Sequence, residues 1–167
     1  AQWLGEVLPK GATVAVDGWV NTVTAVKDLK AELAAYGLTL RTDLEPYAQI
    51  WTERTALPTD EIFIQPMELA GESASSKIGR IRAKAKECGA EAVLVSMLDE
   101  VAWTLNLRGS DIDYNPVFVS YLLITADNAT LYINPAKVNA EVAEYLKAEG
   151  VGIQPYADIE SALRTLR

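Results

Sequence analysis

Three stretches of the chain share one order of apolar and polar positions: an amphipathic stripe, a glycine just past it, and a short apolar run. Over residues 21–36, Val23, Val26, Leu29, Leu33 and Tyr36 recur every three or four positions, and Gly37 precedes Leu38-Thr39-Leu40. That period places them on one face of a helix. Ile78, Ile81, Ala85 and Cys88 repeat the stripe over 73–88, with Gly89 ahead of the apolar run 92–97. Val142, Tyr145 and Leu146 do the same over 139–149, with Gly150 ahead of 151–156. A glycine so placed takes the left-handed backbone that ends a helix and lets the chain turn back along a sheet.

Further strands are predicted at 13–16, 61–64, 117–125 and 129–134. Only Ala126-Asp127-Asn128 joins the last two, which forces an antiparallel hairpin. Elsewhere helices alternate with strands, so crossover connections and parallel neighbours are expected. The pattern gives an α/β fold, a mixed sheet with helices packed on it. Residues 157–167 read as a C-terminal helix, and 1–8 as a leading helix inherited from something upstream. With no repeat, low-complexity run or internal linker, residues 1–167 read as one domain.

Composition narrows the function classes. A chain of 167 residues hides roughly 70% of its unfolded surface on folding, and 50% apolar with 23% charged residues is a globular balance. The net charge is −8 and no stripe of Lys and Arg matches a run of phosphates, so nucleic acid is not an expected partner. No run approaches the ~20 apolar residues that cross a bilayer and no leader is visible, so no membrane partner is expected and the location reads as cytoplasmic. Cys88, the single cysteine, leaves no internal disulfide and reads as buried filler in its helical stripe. A start at Ala1 is what an excised fragment, a processed chain or a cloning scar gives. The chain has no histidine, which removes Ser-His-Asp and Cys-His nucleophiles and the usual zinc triads. Carboxylate-only mechanisms remain, with 23 Asp and Glu available.

The densest polar chemistry lies at 105–116, LNLRGSDIDYNP. Asp111 and Asp113 form an Asp-x-Asp that can chelate Mg or Mn, although ordinary turn chemistry explains it as well and no third ligand stands nearby. Arg108, directly before Gly109, either pairs with Asp111 or Asp113 or aims outward at a carboxylate. Asp99 and Glu100 read as caps at the start of a helix, Gly71-Glu72-Ser73 as an N-cap entry with Ser73 or a neighbour taking the free amides, and Trp51 and Trp103 as fillers of a core or an interface.

Taken as one string, residues 99–118, DEVAWTLNLRGSDIDYNPVF, resemble a motif of the three-domain Xaa-Pro aminopeptidases (aminopeptidase P), in the prolidase and creatinase group. The match runs through Asp99-Glu100, Ala102-Trp103, Asn106-Leu107-Arg108-Gly109, Asp111 and Asn115-Pro116-Val117-Phe118. Flanking matches are Ile50-Trp51-Thr52 with Arg54, Gly71 with Ser73 and Lys77, and Val14 to Asp17 after Trp3-Leu4. Thr55 stands where the family usually has proline.

The resemblance covers essentially the whole chain and implies the second, middle domain, a creatinase/prolidase N-terminal-like fold with a mixed sheet of about six strands flanked by helices. It implies that catalysis sits in a separate C-terminal domain, where two Mn-like divalent ions are held by two Asp, one His and two Glu. On that implication this chain supplies no catalytic residue and no metal ligand, and takes no cofactor of its own. The implied partners are its own C-terminal catalytic domain, an N-terminal first domain, peptides with proline in second position, and a second copy in a full-length homodimer. The implied role is a noncatalytic domain bordering the active-site entrance and supporting substrate selection and assembly. Arg108, Asp111, Tyr114 and Asn115 are then the entrance candidates, and Trp103, Asn106, Gly109 and Pro116 anchor the loop. Two other readings stand beside it: a stand-alone peptide-binding module of the same fold, as aminopeptidase-like domains serve in the histone chaperone FACT, and an autonomous carboxylate enzyme built on Asp111 and Asp113.

Overall fold

In the computed structural model, which describes residues 1–166, the chain divides into two compact units, Ala1–Thr55 and a second beginning at Ala56. The sequence pattern shows no linker at that point and expects one domain over 1–167.

The first unit contains α1 (Gln2–Val7), β1 (Thr13–Ala15), α2 (Val23–Ala35), β2 (Thr39–Arg41) and α3 (Tyr47–Ile50). β1 and β2 pair in parallel, from Thr13 opposite Thr39 to Ala15 opposite Arg41, with α2 as the crossover. Thr22 starts α2 by accepting the Ala25 N–H at 3.1 Å, and Gly37 ends it at φ +72°. Of the predicted stripe only Leu33 is buried, and Leu33 and Leu38 are the buried apolar residues of this unit among the described residues. Trp3, Trp19, Val20, Val23 and Trp51 are all more than half exposed.

The second unit runs β3 (Phe63–Ile64), α4 (Met67–Ala70), α5 (Ala74–Glu87), β4 (Ala92–Val95), α6 (Leu98–Leu105), β5 (Leu107–Arg108), β6 (Ser120–Thr125), β7 (Ala129–Ile133), α7 (Ala140–Ala148), β8 (Val151–Pro155) and α8 (Ile159–Thr165). Single 3-10 turns lie at Pro135–Lys137 and Tyr156–Asp158. Its main sheet has the order β4-β6-β7-β8: the first three strands are antiparallel neighbours, and β8 joins β7 in parallel after the α7 crossover. β3 and β5 form a separate antiparallel pair. The α/β class, the mixed sheet and the 126–128 hairpin are as the sequence pattern predicts.

Side-chain alternation along β6 explains why its sequence is apolar at successive positions. Leu122 and Ile124 enter the main core with Ile78, Val101, Leu105, Leu107, Phe118, Leu131 and Leu146, whereas Leu123 packs with Tyr132 and Ile159. Successive residues of a strand point to opposite faces, so a strand covered on both sides needs apolar residues throughout.

Three local expectations are corrected. The 117–125 strand starts only at Ser120, because the preceding backbone closes a loop instead: Gly109 N–H donates to Pro116 O and Asp111 N–H to Val117 O. Cys88 is exposed rather than buried, since it is the cap residue where the α5 stripe runs out, after buried Ile78 and half-buried Ile81 and Ala85. Asp99 and Glu100 lie in the first turn of α6, where their charges suit the helix dipole, but the N-cap is Met97 and no side chain caps it.

Candidate functional site

The conspicuous polar structure of the second unit is built around the C-terminal end of α6. A helix leaves its last carbonyls without intrahelical partners, and here side chains from three elements reach them. Lys77 Nζ donates to Trp103 O at 2.7 Å, Arg108 Nη1 to Ala102 O at 3.0 Å and, just past the helix, to Leu107 O at 2.8 Å, and Tyr145 Oη to Leu105 O at 3.0 Å. Two cations thus stand where the helix dipole is negative. Asn106 ends the helix at φ +52°, a left-handed conformation that asparagine tolerates better than most residues. Its side chain is used on both sides: Oδ1 accepts from Lys77 Nζ at 2.6 Å and Nδ2 donates to Glu72 O at 2.8 Å. Ser73 caps α5 as predicted, accepting the Ser76 N–H at 3.2 Å, and so brings Lys77 to this point.

Lys77 is almost fully buried, and its Nζ lies 4.3 Å from the centroid of the Trp103 ring. Two carbonyl-type acceptors and a π face therefore surround the ammonium. Trp103 itself is 47% exposed, so it is neither core filler nor free, but a cover over the lysine. Burial pushes the Lys77 ammonium below its usual 10.5; Glu72 opposes this, and Arg108 and Arg80 add to it. Because the folded state disfavours the protonated form, unfolding takes up protons in the window between the lowered pKa and 10.5, and stability rises with pH there. Urea unfolding from neutral pH up to about pH 9, below the range in which tyrosines raised by burial such as Tyr145 begin to act in the opposite sense, should show that rise in the parent chain and a smaller one in Lys77→Met.

The loop that follows is locked from inside. Asp111 has a fully buried carboxylate: Oδ2 accepts the Val119 N–H at 2.7 Å, and Oδ1 pairs with Nζ of the equally buried Lys137, which also approaches Pro58 O at 3.4 Å. Gly109 permits the close approach of the two legs, since a Cβ there would sit 2.8 Å from Phe118 Cβ and 3.1 Å from Val117 O. Gly109→Ala is expected to destabilise the chain by about 1–3 kcal/mol through this overpacking, read as a lower urea midpoint. Between the legs, Asn115 N–H donates to Ile112 O at 3.1 Å, and Tyr114 sits at φ +62° with its side chain fully exposed.

This geometry changes two readings of the loop. Arg108 does not pair with Asp111 or Asp113; its Nη1 goes to two carbonyls, and Asp111 goes to Lys137. The Asp-x-Asp is not a chelate either: Asp111 points inward onto a cation while Asp113 is exposed at the tip, as are Tyr114, Asn115 and Pro116. Phe63 stands directly opposite Arg108 in the β3–β5 pair and is 53% exposed, adding an aromatic neighbour that the motif does not contain.

Residues 53–167 match the creatinase/prolidase N-terminal domain family, a match that opens beside Ala56, where the second unit begins. The chain belongs to that family. Its relatives include aminopeptidase P2 of Arabidopsis thaliana, 33% identical over 99% of this chain and 24% of that protein. A probable Xaa-Pro aminopeptidase P of Fusarium vanettenii is 38% identical over 99% of this chain and 27% of that protein. Among solved structures, an X-prolyl aminopeptidase of Caenorhabditis elegans, described as a cytosolic enzyme with a di-nuclear active site, superposes with a TM-score of 0.85. It is 29% identical over 96% of this chain and 26% of that one. The chain spans about a quarter of the length of the relatives it matches.

A dinuclear centre does not fit the donors of this creatinase/prolidase N-terminal chain. It has no histidine, no three of Cys, Asp and Glu converge among the described residues, and the buried Asp111 already holds an ammonium. No helix among the described residues is long and apolar enough to cross a membrane.

Proposed function

We propose that the chain is a noncatalytic part of a metal-dependent Xaa-Pro aminopeptidase, bordering the entrance to an active site carried by a C-terminal catalytic domain. Family membership and relatives named as Xaa-Pro aminopeptidases support this reading. The observation that carries it is the loop 109–117. Its legs are fixed by buried contacts, yet its tip holds an exposed tyrosine in a backbone conformation unfavourable to that residue. Strain of that kind persists where a rigid surround maintains it, and it gathers at contact and active sites.

On this reading Asp111 orders the loop, Arg108, Tyr114 and Asn115 form the rim that meets peptides with proline in second position, and Trp103, Asn106, Gly109 and Pro116 hold the segment in place. The two divalent, Mn-like ions belong to the catalytic domain. A first domain on the N-terminal side, a second copy of the full-length protein and a cytoplasmic location complete the proposal. The test is hydrolysis of a peptide with proline in second position, with added Mn, by this chain and by the longer product of its gene. Turnover by the longer protein alone is the expected result. Turnover by this chain overturns the reading, and turnover by neither moves it to a stand-alone binding module.

A further inference from the structure

Away from the loop, a pocket of about 610 Å³ opens between the C-terminal half of α5 and the ends of β4 and β6. Its volume lies in the range of small-molecule sites, roughly 300–1,000 Å³. Val93, Ile124, Ala85 and Ala90 give it an apolar floor, and small side chains at the alanine positions leave it unfilled. Arg82, Lys86 and Glu91 supply its charges.

The two cations are set apart from the others on their helix. Along α5, Lys77 is buried against Trp103 and Asn106, Arg80 pairs with Glu72, and Lys84 pairs with Glu87. Arg82 and Lys86 have no ion-pair partner among the described residues. They lie four positions apart, on one side of the helix, and both face the pocket. Arg82 is also oriented in advance: its Nε donates to Thr125 O at 2.8 Å. That bond fixes the guanidinium plane and leaves the Nη1–Nη2 edge for an end-on, two-point contact with a carboxylate. Glu91 would repel a second negative charge on the occupant.

We propose that this pocket binds a small monocarboxylate with an apolar body, its carboxylate on the Nη edge of Arg82 and its apolar part over Val93 and Ile124. The class includes a free medium-chain acid and the α-carboxylate of an apolar, N-acylated amino acid. Amide NMR titration of the 1–167 chain with sodium octanoate and with N-acetyl-leucine tests it and separates the two sources. The expected result is saturable shifts confined to residues near 82–93 and 124–126 with at least one of the two ligands, and none with octylamine. The exposed Lys86→Gln should weaken binding about tenfold without lowering Tm, and Arg82→Gln about tenfold with a small fall in Tm from the lost bond to Thr125 O. Ala85→Leu, which fills the floor, should abolish it. The proposal is overturned if neither acid gives saturable shifts by about 10 mM, a generous limit for ligands of this size, if octylamine binds equally, or if both glutamine variants bind as the parent does.

Discussion

Replacing Lys137 with methionine is expected to remove about 3–5 kcal/mol of unfolding free energy, because one partner of a buried ion pair is left without its countercharge. Lys137 and the Asp111 carboxylate are both essentially inaccessible to water, and Lys137 also approaches the Pro58 carbonyl. In Lys137→Met the carboxylate keeps only the Val119 N–H as a partner, which does not offset a desolvated charge. Lys137→Met with Asp111→Leu should recover much of the loss, since two apolar side chains can replace a buried pair at little net cost. The Val119 amide then lacks its acceptor, so recovery should stop short by about 1–3 kcal/mol. Urea unfolding of the parent, the single and the double variant reads all three quantities. A loss under about 1 kcal/mol in Lys137→Met would mean the pair is not the lock on this loop.

A comparably large effect is expected from dividing the chain between its two units. Residues 56–167, expressed alone, should keep a cooperative thermal transition, because they contain the main core and the four-stranded sheet. Residues 1–55 alone should give the circular dichroism and narrow amide dispersion of an unfolded chain. Parallel strands are stable almost only in sheets covered on both faces, and here β1 and β2 form a parallel pair with Leu33 and Leu38 as the buried apolar residues of the unit among the described residues. With Trp3, Trp19, Val20 and Val23 mostly in water, the apolar gain falls below the conformational entropy of ordering so short a segment. Dispersed amide signals from 1–55 would refute this account of the first unit.

Local chemistry accounts for what was legible in the sequence. The three helix-glycine-strand repeats, the Ser73 cap and the hairpin at 126–128 all depend on residues within a few positions of one another, and all appear in the fold. The boundary at 55 carries no composition shift along the sequence; it shows in how contacts group. The site was legible as a string but not as a set of bonds. Asp111 pairs with a lysine 26 positions away, in a turn that reads as ordinary surface, and Arg108 passes over its nearest carboxylates for the Ala102 and Leu107 carbonyls. Sequence proximity therefore suggested the wrong partner for both. Lys77 had a local signal, since a lysine in the apolar register of α5 must bury its ammonium or find acceptors, and Asn106 supplies one from 29 positions on. Tyr114 had none, because a left-handed tyrosine cannot be told from an ordinary turn residue by identity alone.

The most direct test of a substrate-facing rim is Tyr114→Gly in the longer gene product, with kcat/KM on a proline-second peptide measured beside Tm. Glycine adopts the left-handed backbone without the roughly 1–2 kcal/mol penalty of an L side chain, and its greater freedom in the unfolded chain offsets about 0.5–1 kcal/mol of that gain. Tm should therefore hold or rise. If Tyr114 belongs to the rim, kcat/KM falls by about tenfold or more, which corresponds to one good contact in the transition state. Unchanged kcat/KM with unchanged Tm would contradict the placement of this loop at the active-site entrance.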